Sequence, residues 1–272
     1  MSLALCRDGF WVASLVLLLA CQPGERAPAQ AEGSAADRAP KNEVVVLGMI
    51  HGEHRTSAVY GTDVLRELIR EIGPDVVLTE IPPDRFDAAV AGFQADDSIS
   101  EPRVIRFPEY VDVLFPLTKE MDFEIVPTAG WTLALSDYRA ERLASIPNEP
   151  EWAERWQTYE VAIQESQAAL EAGGAADDPR WINTDAYDAA QEIRLSVYNE
   201  LFNEELREGG WENINRAHYA LIERALDERS GVGLRVLVTY GAGHKGWFLR
   251  ALRQRDDIEL LDVAPFLDAI GR

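Results

Sequence analysis

The sequence predicts an α/β fold: a mostly parallel sheet with flanking helices and a helical insertion between the third and fourth strands. Short apolar runs bounded by glycine, proline or charge read as strands buried on both faces. Segments of helical period fall between them, and such alternation implies a parallel sheet. Residues 141–230 carry no strand pattern and interrupt the alternation.

Val44 to Leu47 is the first strand, closed by Gly48. A helix over Thr62 to Ile72 follows, with Val64, Leu65, Leu68 and Ile69 on one face and Gly73-Pro74 as its stop. Asp75 to Glu80 is the second strand, and Pro83 to Gln94 and Tyr110 to Met121 read as helices. Phe123 to Pro127 is the third strand. In the insertion, Trp152, Trp156, Tyr159, Ile163 and Leu170 form one stripe of a helix from Glu151 to Leu170, with the tryptophans expected in a core. The stretch from Gly173 to Pro179 breaks that helix, and two more run over Ala186 to Glu205 and Asn213 to Arg229. Leu234 to Tyr240 is the fourth strand, a helix lies around Gly246 to Arg255, and Ile258 to Val263 is the fifth strand.

The 272 residues hold 47 acidic and 26 basic side chains, a net charge of −21. That excludes binding that runs on phosphate neutralisation, so no nucleic-acid partner is expected. The insertion's many carboxylates read as a solvated helix surface. Lys41, Lys119 and Lys245 are the only lysines.

Residues 1–20 read as a lipoprotein signal peptide. The apolar run Phe10 to Ala20 follows Arg7 and is too short for a bilayer span of ~20 residues. Leu18-Leu19-Ala20-Cys21 resembles a bacterial lipobox, which makes Cys21 the lipidation site and a membrane the partner of the anchor. Residues 21–42, rich in Ala, Pro, Gly and charge, read as a disordered tether reaching at most ~70 Å, and 43–272 as the folded domain. The expected location is the bacterial cell envelope, on the periplasmic face of the outer membrane, because Gln22 is not the aspartate that retains such proteins at the inner one. With both cysteines, Cys6 and Cys21, in the leader, a disulfide scaffold, a cysteine nucleophile and cysteine-ligated metals are excluded from the domain.

Ligands of an open parallel sheet bind beyond the carboxyl ends of its strands. There the sequence places Gly48-Met49-Ile50-His51-Gly52-Glu53-His54, Thr79-Glu80 and Gly241-Ala242-Gly243-His244. Two imidazoles and a carboxylate, His51, His244 and Glu80, can hold a divalent metal with positions open to substrate. Glu53 is placed as general base, with His54 assisting. The glycines are expected to permit sharp turns and close backbone approach. His218, on an apolar helix face, reads as a core or lid histidine. The sequence lacks the zinc-helix pattern, the cysteine half of the zinc deaminases and a complete dinucleotide fingerprint.

These residues resemble the Tiki/TraB superfamily, which takes in the TraB, PrgY and GumN groups and haem-binding ChaN-like proteins, with erythromycin esterases as distant relatives. The family is marked by two Gly-x-x-His motifs at opposite ends of the domain and a Glu between them, matched by Gly48 to His51, Gly241 to His244 and Glu80. Asn215-Arg216 is a looser match to a helix element of the family. The resemblance implies a polar pocket holding Gly48, Gly241, Gly243, Lys245, Asn215 and Arg216. It implies metal-dependent cleavage of peptide or ester bonds in an unidentified peptide or small-molecule substrate. The alternative is a non-catalytic lipoprotein of the same fold that binds haem or modulates a signal. Two departures stand out: Met49 replaces a common threonine, and Lys245 sets a cation beside the second motif.

Overall fold

The computed structural model describes residues 39–272. The expected signal peptide, the expected lipidation site Cys21 and nearly all of the expected tether lie outside the described residues. Five strands, β1 (Asn42–Met49), β2 (Val76–Thr79), β3 (Glu124–Pro127), β4 (Arg235–Gly241) and β5 (Ile258–Leu261), form one sheet in the order β3-β2-β4-β1-β5. Every pairing is parallel. The expected α/β fold is therefore present, with all five strands where the apolar runs lie.

Among the described residues ten α-helices accompany the sheet: α1 (Thr62–Ile72), α2 (Pro83–Asp96), α3 (Phe115–Leu117), α4 (Leu133–Ser145), α5 (Ala153–Gly173), α6 (Pro179–Ile182), α7 (Asp185–Phe202), α8 (Trp211–Asp227), α9 (Ala242–Leu252) and α10 (Ala264–Ala269). Side chains of a strand alternate between faces. On β1, Val45, Leu47 and Met49 join the core under α1, α2 and α10, while Val44 and Val46 join the core under α8 and α9. Both faces are covered, which is why β1 reads as an unbroken apolar run.

Four elements differ from expectation. The first strand begins at Asn42, a residue assigned to the tether. Asn42 is fully buried, and its side-chain oxygen accepts from the backbone N–H groups of Gly233 and Leu234. The insertion begins at Leu133 rather than near 141, with the Thr132 hydroxyl accepting from Leu135 N to cap α4. Of the apolar stripe expected over Glu151 to Leu170, every residue but Ile163 packs, Leu170 on the main core. Trp152, Trp156 and Tyr159 pack on a separate core of Ile146, Tyr198, Phe202 and Leu206, but Ile163 is exposed. The helix expected near Gly246 begins at Ala242, so β4 runs straight into α9 and His244 lies in a first helical turn.

One irregularity matters for the site. Glu109–Leu114 is a π-helical turn, closed by Phe115 N donating to Tyr110 O. The extra residue in such a turn re-aims side chains, and π-turns gather at functional sites. Here Glu109 and Tyr110 both turn inward and are fully buried.

Candidate metal centre

Register brings the two glycine–histidine motifs together. Met49 pairs with Gly241 on the central strands β1 and β4, so the residues that follow each strand emerge side by side. Above them lies a cleft of about 560 Å3. Its inner wall is the sheet rim, with Ile50, His51, Glu53, Gly241, Gly243 and His244. Its outer wall belongs to the insertion, with Arg139, Tyr159, Tyr187, Arg194, Tyr198 and Trp211. The imidazoles from opposite ends of the domain thus share one cavity.

His51 itself makes the turn off β1, at φ 50°. A non-glycine residue in that region is strained, and such strain gathers at functional sites. Its Nδ1 lies 2.6 Å from Oε1 of Glu109. Burial disfavours charge on the ring. The hydrogen bond to Glu109 and the charges of Glu80, Glu109 and Glu53 outweigh it and lift the pKa to about 9. The Nε2 faces Oε2 of Glu80 at 3.7 Å. A Cβ on Gly241 would sit 2.5 Å from that Nε2, so only glycine lets the ring lie there. The role expected of Gly241, close approach, holds, but the backbone turn is made by the histidine.

Glu80 is one residue beyond β2 and buried. Its Oε2 accepts from Gly241 N at 3.0 Å. Burial raises its pKa, against the pull of His51 and the Gly241 N–H. The Tyr110 hydroxyl accepts from Glu80 N at 2.8 Å and donates to Thr239 O at 2.9 Å. That bridge ties the ends of β2 and β4 and fixes the height of the carboxylate.

His244 is held flat between Trp211, stacked at 4.8 Å, and Phe248. Asn215 Nδ2 donates to Trp211 O, which leaves its Oδ1 to accept from Nδ1 of His244 at 2.7 Å. The proton of the neutral ring is therefore on Nδ1, and the Nε2 lone pair is free. Burial first, then the neighbouring His218 ring and the charges of His51, Arg139 and Arg194, hold its pKa well below the ordinary value.

His218 is fully buried and its ring lies 5.3 Å from that of His244. One donor atom each from Glu80, His218 and His244 lies within 4.8 Å of the others, a cluster that can hold a metal ion. The hydrogen bonds divide this cluster. Nδ1 of His218 accepts from the backbone N–H of Gly130 at 2.8 Å. In a neutral ring the proton then sits on Nε2, which is buried without a partner and is a donor rather than a ligand. Burial pushes its pKa down to about 3, so it stays neutral. His51 offers what His218 lacks: its Nδ1–H is engaged by Glu109, which leaves Nε2 as the ligating atom once its second proton is gone. Ligands about 2.1 Å from a tetrahedral ion are ~3.4 Å apart, close to the His51–Glu80 spacing. His51 stands outside the close cluster of Glu80, His218 and His244, with its Nε2 3.7 Å from Glu80 Oε2; its donor atom, like those of Glu80 and His244, is of a kind that suits a divalent cation.

Other expected residues fall elsewhere. His54 is buried, donates from Nδ1 to Tyr60 O and accepts at Nε2 from Ile50 N. Both nitrogens serve the backbone of the turn, so it is a positioning residue, not a catalytic assistant. Lys245 follows His244 by one helical step of about 100° and points away from the cleft. It is buried against Asp188 at 2.6 Å and sets no cation at the metal site. Arg216 is likewise one step past Asn215, pairs with Glu212 in solvent and lies outside the cleft. Gly48 lies beneath the cleft, where its N donates to Asn183 Oδ1 and a Cβ would meet Ala242 and Ile182 at 3.1 Å. Gly243 lines the cleft, although a Cβ there would meet only Trp211, at 3.8 Å. Glu53 lines the cleft with an exposed carboxylate that makes no hydrogen bond among the described residues. Sequence reasoning missed Glu109 altogether and read His218 only as core or lid.

Comparison with protein-family models, curated proteins and solved structures returned no match. Among the described residues, no helix is long and apolar enough to cross a membrane.

Proposed function

We propose that the protein is a metal-dependent hydrolase of peptide or ester bonds, tethered to the bacterial envelope by a lipid on Cys21. One observation carries this reading. Two imidazoles, each with Nδ1–H engaged by a fixed acceptor, direct Nε2 toward one cleft beside the Glu80 carboxylate. Acceptors of that kind behind a histidine set its tautomer and strengthen it as a ligand.

His51, Glu80 and His244 hold the ion, whose chemistry is Lewis-acid polarisation of the scissile carbonyl. The chain supplies the rest. Glu53 takes a proton from the attacking water as its oxygen adds to the carbonyl carbon. The proton held by Glu53 then passes to the leaving nitrogen or oxygen as its bond to carbon breaks.

The test is metal content. Wild-type protein equilibrated with zinc, manganese or cobalt and then desalted is expected to retain one equivalent of one of them, and His244→Ala none. Equal trace metal in both ends the proposal. A panel of peptides and esters, read against Glu53→Gln, tests turnover separately.

A further inference from the structure

Arg139 on α4 and Arg194 on α7 lie on the outer wall of the cleft, opposite the histidines. Most arginines of the domain sit against a carboxylate, as Arg142 does against Glu149 and Arg255 against Asp257. In a chain of net charge −21 that is the default. Arg139 and Arg194 form no ion pair among the described residues. They are instead held by neutral groups. An Nη of Arg139 donates to the Tyr198 hydroxyl at 3.1 Å, and its guanidinium lies over the Trp131 and Tyr198 rings. Two nitrogens of Arg194 donate to Oε1 of Gln191, whose own amide donates to the Tyr187 hydroxyl. Neutral partners orient a guanidinium without cancelling its charge. Each group keeps further N–H donors free, since a guanidinium carries five. The cleft is also lined by the carboxylates Glu53 and Glu171, and among the described residues neither pairs with either arginine.

We infer that Arg139 and Arg194 form an anion subsite that grips a carboxylate or phosphate on the molecule the cleft receives. Two oriented guanidinium groups from different helices match the forked geometry of such oxyanions. The inference deepens the hydrolase reading, on which it rests for the word substrate, by giving that substrate a negative charge set away from the bond cleaved. A peptide with a free terminal carboxylate and a small phosphate-bearing ester are two sources of the same chemistry.

Binding to metal-stripped full-length protein tests this without turnover, so loss of the hydrolase reading leaves the result interpretable. The probes are N-acetyl-trialanine, its C-terminal amide and propyl phosphate, titrated by calorimetry. The carboxylate or the phosphate is expected to bind at least tenfold tighter than the amide, and whichever binds tighter identifies the source. Arg139→Gln and Arg194→Gln are each expected to weaken that binding about tenfold, the loss of one charge-assisted contact. Arg216→Gln, outside the cleft, is expected to leave it unchanged. A melting curve on each variant confirms folding, and Arg→Lys variants, which keep the charge, are expected to restore part of the affinity if the glutamine variants melt early. Equal binding of acid and amide, no binding of any probe, or full affinity in the folded double glutamine variant overturns the inference.

Discussion

The two walls of the cleft are built on different principles. The inner wall grows from strand ends, and its side chains are fixed by backbone: Gly241 N on Glu80, and the Tyr110 hydroxyl between Glu80 N and Thr239 O. Its chemistry is that of imidazole and carboxylate. The outer wall is carried by helices with a small core of their own, Ile146, Tyr198, Phe202 and Leu206. Its polar groups are arginine, tyrosine and glutamine, oriented by one another. On the proposed reading, reaction chemistry belongs to the strand ends and recognition to the helical layer, with Trp211 and Asn215 of α8 reaching across to hold His244.

Substitutions that strike one wall and spare the other sharpen this contrast. The largest effect is expected of His244→Ala, which removes metal retention and turnover together while peptide-acid binding persists. Elemental analysis and the binding titration read the two halves. Phe202→Ala hollows the insertion core and is expected to cost about 3–5 kcal/mol in urea denaturation. It should weaken peptide-acid binding more than metal retention; the reverse order would show that the walls are not separate. Asn215→Ala frees the His244 ring and is expected to lower metal affinity about tenfold to a hundredfold. An unchanged affinity would discard the tautomer argument. A further effect concerns pH. His218 has a pKa of about 3 when folded and about 6.5 when unfolded, so the unfolded chain holds the extra proton between these values. Its contribution is whole above pH 6.5 and is lost as pH falls toward 3, at about 1.4 kcal/mol per pH unit. His218→Leu should flatten the acid limb of the stability profile by that slope, measured as urea midpoints between pH 7 and 4.

The same contrast explains what could be read from the sequence. The inner wall was legible because a glycine followed three residues later by histidine, after an apolar run, marks a strand end. The parallel-sheet rule then collects those ends on one side. His51, Glu80, His244 and Gly241 came out that way. His54 did not, because its partners are Tyr60 O and Ile50 N, backbone groups of a turn whose path leaves no pattern in residue type. Glu109 was hidden by the π-turn: a plain helix from Tyr110 gives no reason to aim the preceding carboxylate inward. Lys245 and Arg216 were misplaced by one helical step, which adjacency along the chain conceals. Arg139 and Arg194 lie among many acidic residues, and a charge count over that region describes a solvated surface without showing which cations escape pairing.

The register that seats Met49 beside Gly241 also sets a time order. Glu80 meets the Gly241 N–H across 161 residues, and His51 lies still further from Gly241 along the chain. Contacts so remote are slow to form, because most of the polypeptide must be synthesised and condensed before they close. A growing, truncated or half-folded copy therefore carries scattered ligands and no complete centre, and competence arrives only when the last third of the domain threads its strand between the first two.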